Sequence, residues 1–337
     1  MKKREGYLDV LRCLAICLVL LNHCVSKYIT NEAYYGSRTF LLLLGANALS
    51  NMSVPLFLMI SGYLMLQSDR TRDMGGFYKK RLPRLLIPLA AWNVIYFFYL
   101  RLLRGEALTA GAFFEGLINT GNAYHLWYLY LLAGIYLLAP FLKRIADSCT
   151  DRQLWGLLGV MLLCPTLRPF LNHTFDIYIH LFDPLFNGYV GYFLLGYLLG
   201  RARPGRMAPL IGLLLAAAGI ALAVTENYAA SSEKGVNLVY TYGASITRYL
   251  TGAGVFLLAR SCLGRESRLT RAAGRLCPLV FGIYVIHVAV LELFWEKWMI
   301  DASPVVSAAY LWIVTLILSA LLAWLLGKLP GVKKLVT

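Results

Sequence analysis

The sequence predicts an all-α integral membrane protein of about ten transmembrane helices, with both termini in the cytoplasm. Its 337 residues are 59% hydrophobic and only 15% charged, and the mean hydropathy is +0.63, outside the usual range of soluble domains. Apolar stretches of about 20 residues, the length that crosses a bilayer, recur along the whole chain. Basic residues concentrate in alternate connections between these stretches.

We predict a single polytopic domain over residues 1–337, embedded in a lipid bilayer, because the short connections leave no room for a soluble domain. The first span follows Lys2, Lys3 and Arg4. We expect it to remain a membrane helix rather than a cleaved signal, because Arg12 interrupts the apolar run and no small-residue cleavage site follows. The predicted spans, in order, are 8–26, 41–66, 82–104, 125–142, 154–171, 184–200, 208–225, 241–262, 276–298 and 305–327.

The distribution of the 32 Lys and Arg residues sets the predicted orientation. With the N-terminus inside, most of them fall in cytoplasmic connections such as 67–84 and 260–275, as the positive-inside rule requires. The net charge of +15 therefore needs no nucleic-acid partner. Tyr124, Trp127 and Tyr128 lie around the start of the fourth span on the external side, where aromatic residues typically anchor helices at the interface.

Cysteine usage indicates neither a disulfide framework nor a zinc site. There are seven cysteines, an odd number, and none of them form a CxxC pair. Three lie in the first span, where packing as small apolar residues is their ordinary role. A weak candidate for a metal site is a group of external residues, although we predict no metal: His125, His173, Asp176, His180 and Asp183.

Ionisable residues inside spans are costly in hydrocarbon and are therefore functional candidates. Arg12 and His23 are eleven residues apart, about 20° beyond three full helical turns, so they share one helix face about 16 Å apart along the axis. This stripe could hold the two ends of an extended ligand. Asp9, three residues before Arg12, has the spacing of an ion pair that would steady the guanidinium. The alternative is a snorkelling arginine, an unrelated packing histidine and a surface ion pair.

Arg81 and Arg84 lie at the predicted cytoplasmic edge of the third span. A helix would present them side by side, and two neighbouring guanidinium groups suit phosphate oxygens. If the helix starts here, its first N–H groups would add to an anion site. Ordinary positive-inside charge is the alternative.

Further candidates lie in the eighth and ninth spans. Arg248 requires a partner or a wet cavity, because a guanidinium stays charged. His287 lies near mid-membrane with Tyr284 three residues earlier, and it is as compatible with packing as with catalysis. Glu292, in the same span as His287, is a possible partner of Arg248.

Together these motifs resemble those of the acyltransferase-3 family of membrane proteins. The elements that carry the resemblance run from the first span to the ninth and cover most of the chain. In order, they are Asp9-x2-Arg12 followed by His23, residues 54–63 (VPLFLMISGY), Arg81-x2-Arg84 with Pro88, residues 125–129 (HLWYL) and residues 282–287 (GIYVIH).

The resemblance implies a multi-pass protein of the cell membrane that transfers an acyl group, often acetyl, from acyl-CoA to hydroxyls of cell-surface glycans or glycolipids. We expect Arg81, Arg84 and Arg12 to bind the donor phosphates, with the pantetheine arm running along the first helix. His23 is expected to act as general base, with Asp9 and Arg12 in the catalytic group, and a transient acyl-histidine is the variant. Further candidate pocket residues are Arg248, Tyr284, His287, Glu292 and Trp127.

The main alternative is a membrane protein that binds or transports its substrate. A similar membrane domain joined to a soluble serine racemase is associated with serine uptake. A cavity lined by Arg, His and Glu suits translocation equally well. Consumption of acyl-CoA distinguishes the two functions.

Overall fold

The structure is a computed structural model that describes residues 5–119, 121–175, 188–232, 235–238 and 245–336. It is all-helical, as predicted. The helices, in chain order, are α1 (Gly6–Ser26), α2 (Arg38–Ser50), α3 (Ser53–Leu66), α4 (Met74–Arg104), α5 (Ala110–Ile118), α6 (Trp127–Ser148), α7 (Asp151–Phe175), α8 (Tyr189–Arg201), α9 (Ala208–Ala230), α10 (Ile246–Cys262), α11 (Arg268–Leu276), α12 (Val280–Lys297), α13 (Pro304–Leu326) and α14 (Lys333–Val336).

The helices have the length and surface of membrane spans. Large apolar side chains point outward, for example Leu102, which is 68% exposed, and Ile317, which is 60% exposed. Such a surface suits lipid rather than water, and the chain is a multi-pass membrane protein. Within the described residues, 7 stretches are long and apolar enough to cross a membrane: Gly6–Ser26, Arg38–Leu66, Met74–Arg104, Tyr124–Ser148, Ala208–Ala230, Arg268–Lys297 and Pro304–Leu326.

The remaining three predicted spans fall on other helices. The span 154–171 lies within α7, while 184–200 and 241–262 overlap the shorter helices α8 and α10. Residues 181–187 and 239–244, which precede α8 and α10, lie outside the described part of the chain. Ten spans and cytoplasmic termini therefore stay predictions.

The second predicted span, 41–66, falls within the apolar stretch Arg38–Leu66. This stretch consists of two helices, because α2 ends at Ser50 and α3 begins three residues later. Ser50 Oγ and Asn51 Nδ2 both donate to the carbonyl of Asn47, at 3.1 and 2.9 Å, and such bonds compete with the helical pattern. Pro55 has no N–H to offer to the carbonyl of Asn51, four residues earlier. The break therefore has a local cause on both of its sides.

The third predicted span, 82–104, begins too late. α4 starts at Met74, and its first turn is capped by the side chain of Asp73, a preferred N-cap residue. Pro83 and Pro88 lie inside the helix rather than at its start, and each removes one main-chain hydrogen bond. Proline at the first helical turn is the commoner arrangement.

The ninth predicted span, 276–298, begins where α11 ends, and α11 lies in the predicted connection 260–275, which is therefore partly helical. α11 and α12 are joined by one 3-10 turn at Cys277–Leu279. The short helices α5, α11 and α14 were not predicted, because they are too short to give a membrane-spanning signal.

The described contacts group the chain into two compact units. The first unit comprises Met1–Gln67, Ile145–Cys277 and Ser303–Ala308, and the second comprises Ser68–Arg144, Pro278–Ala302 and Ala309–Thr337. A single domain over the whole length stays a prediction.

In the first unit, α3 and α8 pack with their backbones in close contact. A Cβ atom added at Gly62 would lie 1.8 Å from the carbonyl oxygen of Phe193, and one at Gly196 would lie 2.1 Å from that of Met59. Small residues allow such approach between membrane helices. α1 packs against α2, α3 and α11 in this unit, so its polar residues occupy fixed positions.

In the second unit, tyrosine hydroxyls join α4 to α12. Tyr96 donates to the carbonyl of Val285 at 2.7 Å, and Tyr99 donates to the carbonyl of Ala289, also at 2.7 Å. In return, the N–H of Ala289 donates to the Tyr96 hydroxyl at 3.1 Å. These bonds between spans compensate for burying polar groups.

Candidate functional site

The start of α1 holds the predicted ion pair. Asp9 lies in the first turn, where a carboxylate complements the positive end of the helix, and its side chain is buried. Arg12 Nη1 lies 3.0 Å from Asp9 Oδ1, so the pairing expected from the three-residue spacing is confirmed. The Arg12 side chain keeps 28% of its surface exposed. Asp9 therefore orients the guanidinium while part of the Arg12 side chain remains accessible.

Thiol groups pack around this ion pair. Arg12 Nη1 lies 3.8 Å from Cys277 Sγ, and Cys13 Sγ donates to the carbonyl of Ala273 at 3.6 Å. The cysteines whose side chains the structure describes are free thiols. α11 and Cys277, the residue after it, thus pack against α1 at the level of the ion pair.

His23 lies in the last turn of α1, and its side chain is partly exposed. Because α1 is uninterrupted, regular helix geometry places Arg12 and His23 on one face, about 16 Å apart along the axis. Beside His23, Asn22 Nδ2 donates to Ser50 Oγ at 3.2 Å. This bond ties the end of α1 to the end of α2.

Arg248 binds at the break between α2 and α3. It is only 6% exposed, and its Nε donates to the carbonyl oxygen of Asn51 at 2.9 Å. This is the carbonyl for which Pro55 supplies no N–H. The guanidinium thereby meets the negative end of α2, and it also lies 5.9 Å from the ring centroid of Tyr189, within the range of cation–π attraction.

Arg81 and Arg84 lie in the third turn of α4, and both are exposed, as are Lys79 and Lys80. Their spacing places the two arginines on neighbouring positions of one face. The first turn of α4 lies well before them, and Asp73 accepts a main-chain N–H there. The expectation that helix-start N–H groups add to an anion site at this pair is therefore wrong.

Three aromatic residues form a buried cluster in the second unit. The Tyr284 hydroxyl donates to the carbonyl of His125, and His287 Nδ1 lies 2.5 Å from the carbonyl of Tyr284. A carbonyl only accepts, so Nδ1 of His287 carries a proton. The His125 and His287 rings are 5.0 Å apart between centroids, edge to face, and both residues are buried. The cluster packs α12 against the turn that precedes α6.

Glu292 is a buried carboxylate, 1% exposed. It accepts hydrogen bonds from Arg104 Nη2 at 3.1 Å and from the Tyr124 hydroxyl at 3.2 Å. A buried charge requires such partners. The sequence suggested Arg248 as a partner of Glu292, and the structure places Arg104 and Tyr124 there.

Arg104 and Tyr124 also line a cavity of about 650 Å³ in the second unit, and the predicted pocket residue Trp127 lies in its wall. Sequence reasoning treated Arg101 and Arg104, at the end of the third predicted span, as external charge, and it missed most of the polar lining. One signal was available, because Asn93 is an amide within an apolar span, and it binds the lining residue Asn122. The missed polar lining residues are Arg101, Arg104, Glu106, Glu115, Asn119 and Asn122.

Among the described residues, no group of three or more His, Cys, Asp and Glu side chains is placed to hold a metal ion. In the weak metal candidate, Asp176, His180 and Asp183 lie outside the described residues, as does the side chain of His173.

Comparison with known proteins gives one match. A family model for an acyltransferase domain, Acyl_transf_3, matches residues 5–328. The match spans almost the whole chain and includes every candidate site residue discussed above. No curated protein and no solved structure matches the chain.

Proposed function

Because this chain belongs to the acyltransferase-3 family and is a multi-pass membrane protein, we propose that it transfers an acyl group from cytosolic acyl-CoA to an external hydroxyl. Acetyl is the proposed acyl group, and a cell-surface glycan or glycolipid is the proposed acceptor. The proposed location is the cell membrane. The observation that carries this proposal is α1, where Arg12 fixed by Asp9 and a partly exposed His23 occupy one face of an uninterrupted helix.

His23 is proposed as the general base. Its neutral imidazole accepts the proton of the acceptor hydroxyl while the hydroxyl oxygen attacks the carbonyl carbon of the thioester. A C–O bond forms, the C–S bond breaks, and coenzyme A leaves as a thiolate that takes up a proton. In the variant with an acyl-histidine, the imidazole itself attacks first and the acceptor oxygen attacks second.

Two other groups of residues support the reaction in this proposal. Arg81 and Arg84 raise the affinity for the donor by binding its phosphate oxygens, since adjacent guanidinium groups form paired hydrogen bonds with phosphate. Arg248 and Tyr284 hold nearby backbone in place, because Arg248 donates to the carbonyl of Asn51 and Tyr284 donates to the carbonyl of His125.

The donor requirement tests this function. The purified chain in lipid nanodiscs is mixed with acetyl-labelled acetyl-CoA and with envelope glycan from the source organism, and both free coenzyme A and labelled glycan are measured. We expect the two products in equal amounts. Passage of a solute across proteoliposomes with no loss of acetyl-CoA would instead support transport and contradict the proposal.

A matched pair of double variants tests the donor contact. Replacing Arg81 and Arg84 with Ala should raise the KM for acetyl-CoA about tenfold or more, because two charge-assisted contacts are lost. Arg203 and Arg206 have the same spacing and are also exposed, so replacing them with Ala should leave the KM unchanged. Equal KM values for both double variants would show that Arg81 and Arg84 do not bind the donor.

A further inference from the structure

The cavity of the second unit has a wall that is fixed by buried hydrogen bonds. Asn93, 1% exposed, accepts from the N–H of Asn122 at 2.9 Å and from its Nδ2 at 3.3 Å, while Asn93 Nδ2 donates to the carbonyl of Leu89 at 2.9 Å. Gly121 has a φ of +112°, a conformation that glycine adopts at low cost. Asn93 therefore holds Asn122 in place at the wall of the cavity.

The two arginines of the cavity have carboxylate partners. Arg101 lies 3.4 Å from Glu106 and donates to the carbonyl of Ala107 at 2.7 Å. Arg104 lies 3.1 Å from Glu292. Glu115 adds a further exposed carboxylate to the lining. The cavity thus has no excess of positive charge with which to attract a phosphate or a carboxylate ligand.

The same lining combines planar polar groups with aromatic faces. Guanidinium, carboxylate and amide groups each offer paired donors or acceptors that match two neighbouring hydroxyls of a polyol. Trp127 is partly exposed and Tyr124 is 43% exposed, and both rings have an apolar face and a polar atom. The volume of about 650 Å³ is in the range of small-ligand sites. A sugar ring, with hydroxyls on its edge and C–H groups on its face, has both complementary features.

We propose that this cavity binds a neutral, polyhydroxylated ligand, a sugar unit of the glycan acceptor. Its role as the acceptor site rests on the proposed acyltransferase function, whereas sugar binding does not. In the predicted orientation the cavity lies on the external side, because α4 starts in the cytoplasm and Arg101 and Arg104 are at its other end. Specificity for the acceptor then resides in residues 96–127.

Glycan binding by the full chain tests the proposal. The probe is the oligosaccharide fraction released by mild acid from the envelope of the source organism, labelled with a fluorophore and separated by anion exchange into neutral and anionic pools. Wild-type protein in nanodiscs should bind the neutral pool and prefer it over the anionic pool. Binding of neither pool, or preference for the anionic pool, would overturn the proposal.

Two cavity variants and one matched control locate the binding. Trp127→Ala and Glu115→Gln should each weaken binding of the neutral pool at least about tenfold, the cost of losing an anchoring contact. Glu115 is exposed, so its variant changes charge without disturbing packing. Trp298, 54% exposed and outside the cavity lining, serves as the control, and Trp298→Ala should bind as wild type does.

The outcomes separate the two proposals. If Trp127→Ala and Glu115→Gln both bind the neutral pool as wild type does, the assignment of sugar binding to this cavity is overturned. This holds whether or not the protein consumes acetyl-CoA. If the wild type binds the neutral pool through these residues but never consumes acetyl-CoA, the acyltransferase function fails and the sugar site stands.

Discussion

At the scale of single residues, a buried polar side chain can supply a hydrogen bond that the backbone lacks. Arg248 is the clearest case, because its Nε bonds to the carbonyl of Asn51 at a point where Pro55 offers no N–H. In hydrocarbon an unpaired carbonyl costs several kcal/mol. The arginine thereby stabilises a helix break within a membrane span.

Replacing Arg248 with Leu should destabilise the protein by about 1–3 kcal/mol, the cost of leaving a buried acceptor without its donor. The melting temperature of the detergent-solubilised protein measures the effect. Arg265 is exposed, and Arg265→Leu should melt within about a degree of wild type. Equal melting temperatures for Arg248→Leu and wild type would show that the bond to Asn51 contributes little.

The sequence could predict only those residue contacts that helix geometry sets. The Asp9–Arg12 pair follows from a spacing of three residues, and the structure contains it. Arg104 and Glu292 are far apart in sequence, and only the packing of α4 against α12 brings them together. The amide Asn93 was overlooked because amides carry no charge, although an unpaired amide in a span is also costly.

At the scale of helices, hydropathy predicted where apolar segments lie but not how each segment is built. Arg38–Leu66 contains a membrane-length stretch with a mean hydropathy of 1.6, so the sequence suggested one span and gave no sign of the break. The break depends on side chains that bond to the local backbone, at Ser50 and Asn51. A window average does not register such bonds.

Close packing of α3 on α8 should make Gly62 intolerant of any side chain. Gly62→Ala would place a Cβ atom 1.8 Å from a carbonyl oxygen, so the helices must separate, and we expect a lower yield of monodisperse protein and a melting temperature lower by several degrees. Gly45 has nothing within 4 Å of an added Cβ. Gly45→Ala should therefore be neutral or slightly stabilising. A Gly62→Ala protein as stable as Gly45→Ala would contradict the close contact.

At the scale of the whole molecule, composition was enough to predict an all-helical membrane protein. The family match over residues 5–328 agrees with the resemblance carried by motifs in several spans. The cavity in the second unit could not be predicted, because its lining comes from α4, α5, the connection between them, the loop before α6 and the first residue of α6. Only the folded chain brings these segments together.

Thiol labelling tests the predicted orientation. In a cysteine-free background, Ala107→Cys lies in a predicted external connection and Ala202→Cys in a predicted cytoplasmic one, and both positions are exposed. A membrane-impermeant maleimide applied to intact cells should label only Ala107→Cys, and permeabilised cells should show labelling of both. Labelling of Ala202→Cys alone in intact cells would show the opposite orientation, and the positive-inside rule would then fail for this chain.

The most direct test of the account is acetyl transfer by His23→Ala. If His23 is the general base, transfer from labelled acetyl-CoA to glycan should fall about 10²–10⁴-fold, while the variant remains monodisperse and melts as wild type does. Cys17, partly exposed on another face of α1, provides the control, and Cys17→Ala should keep its activity. Transfer by His23→Ala within about twofold of wild type would contradict the proposed mechanism.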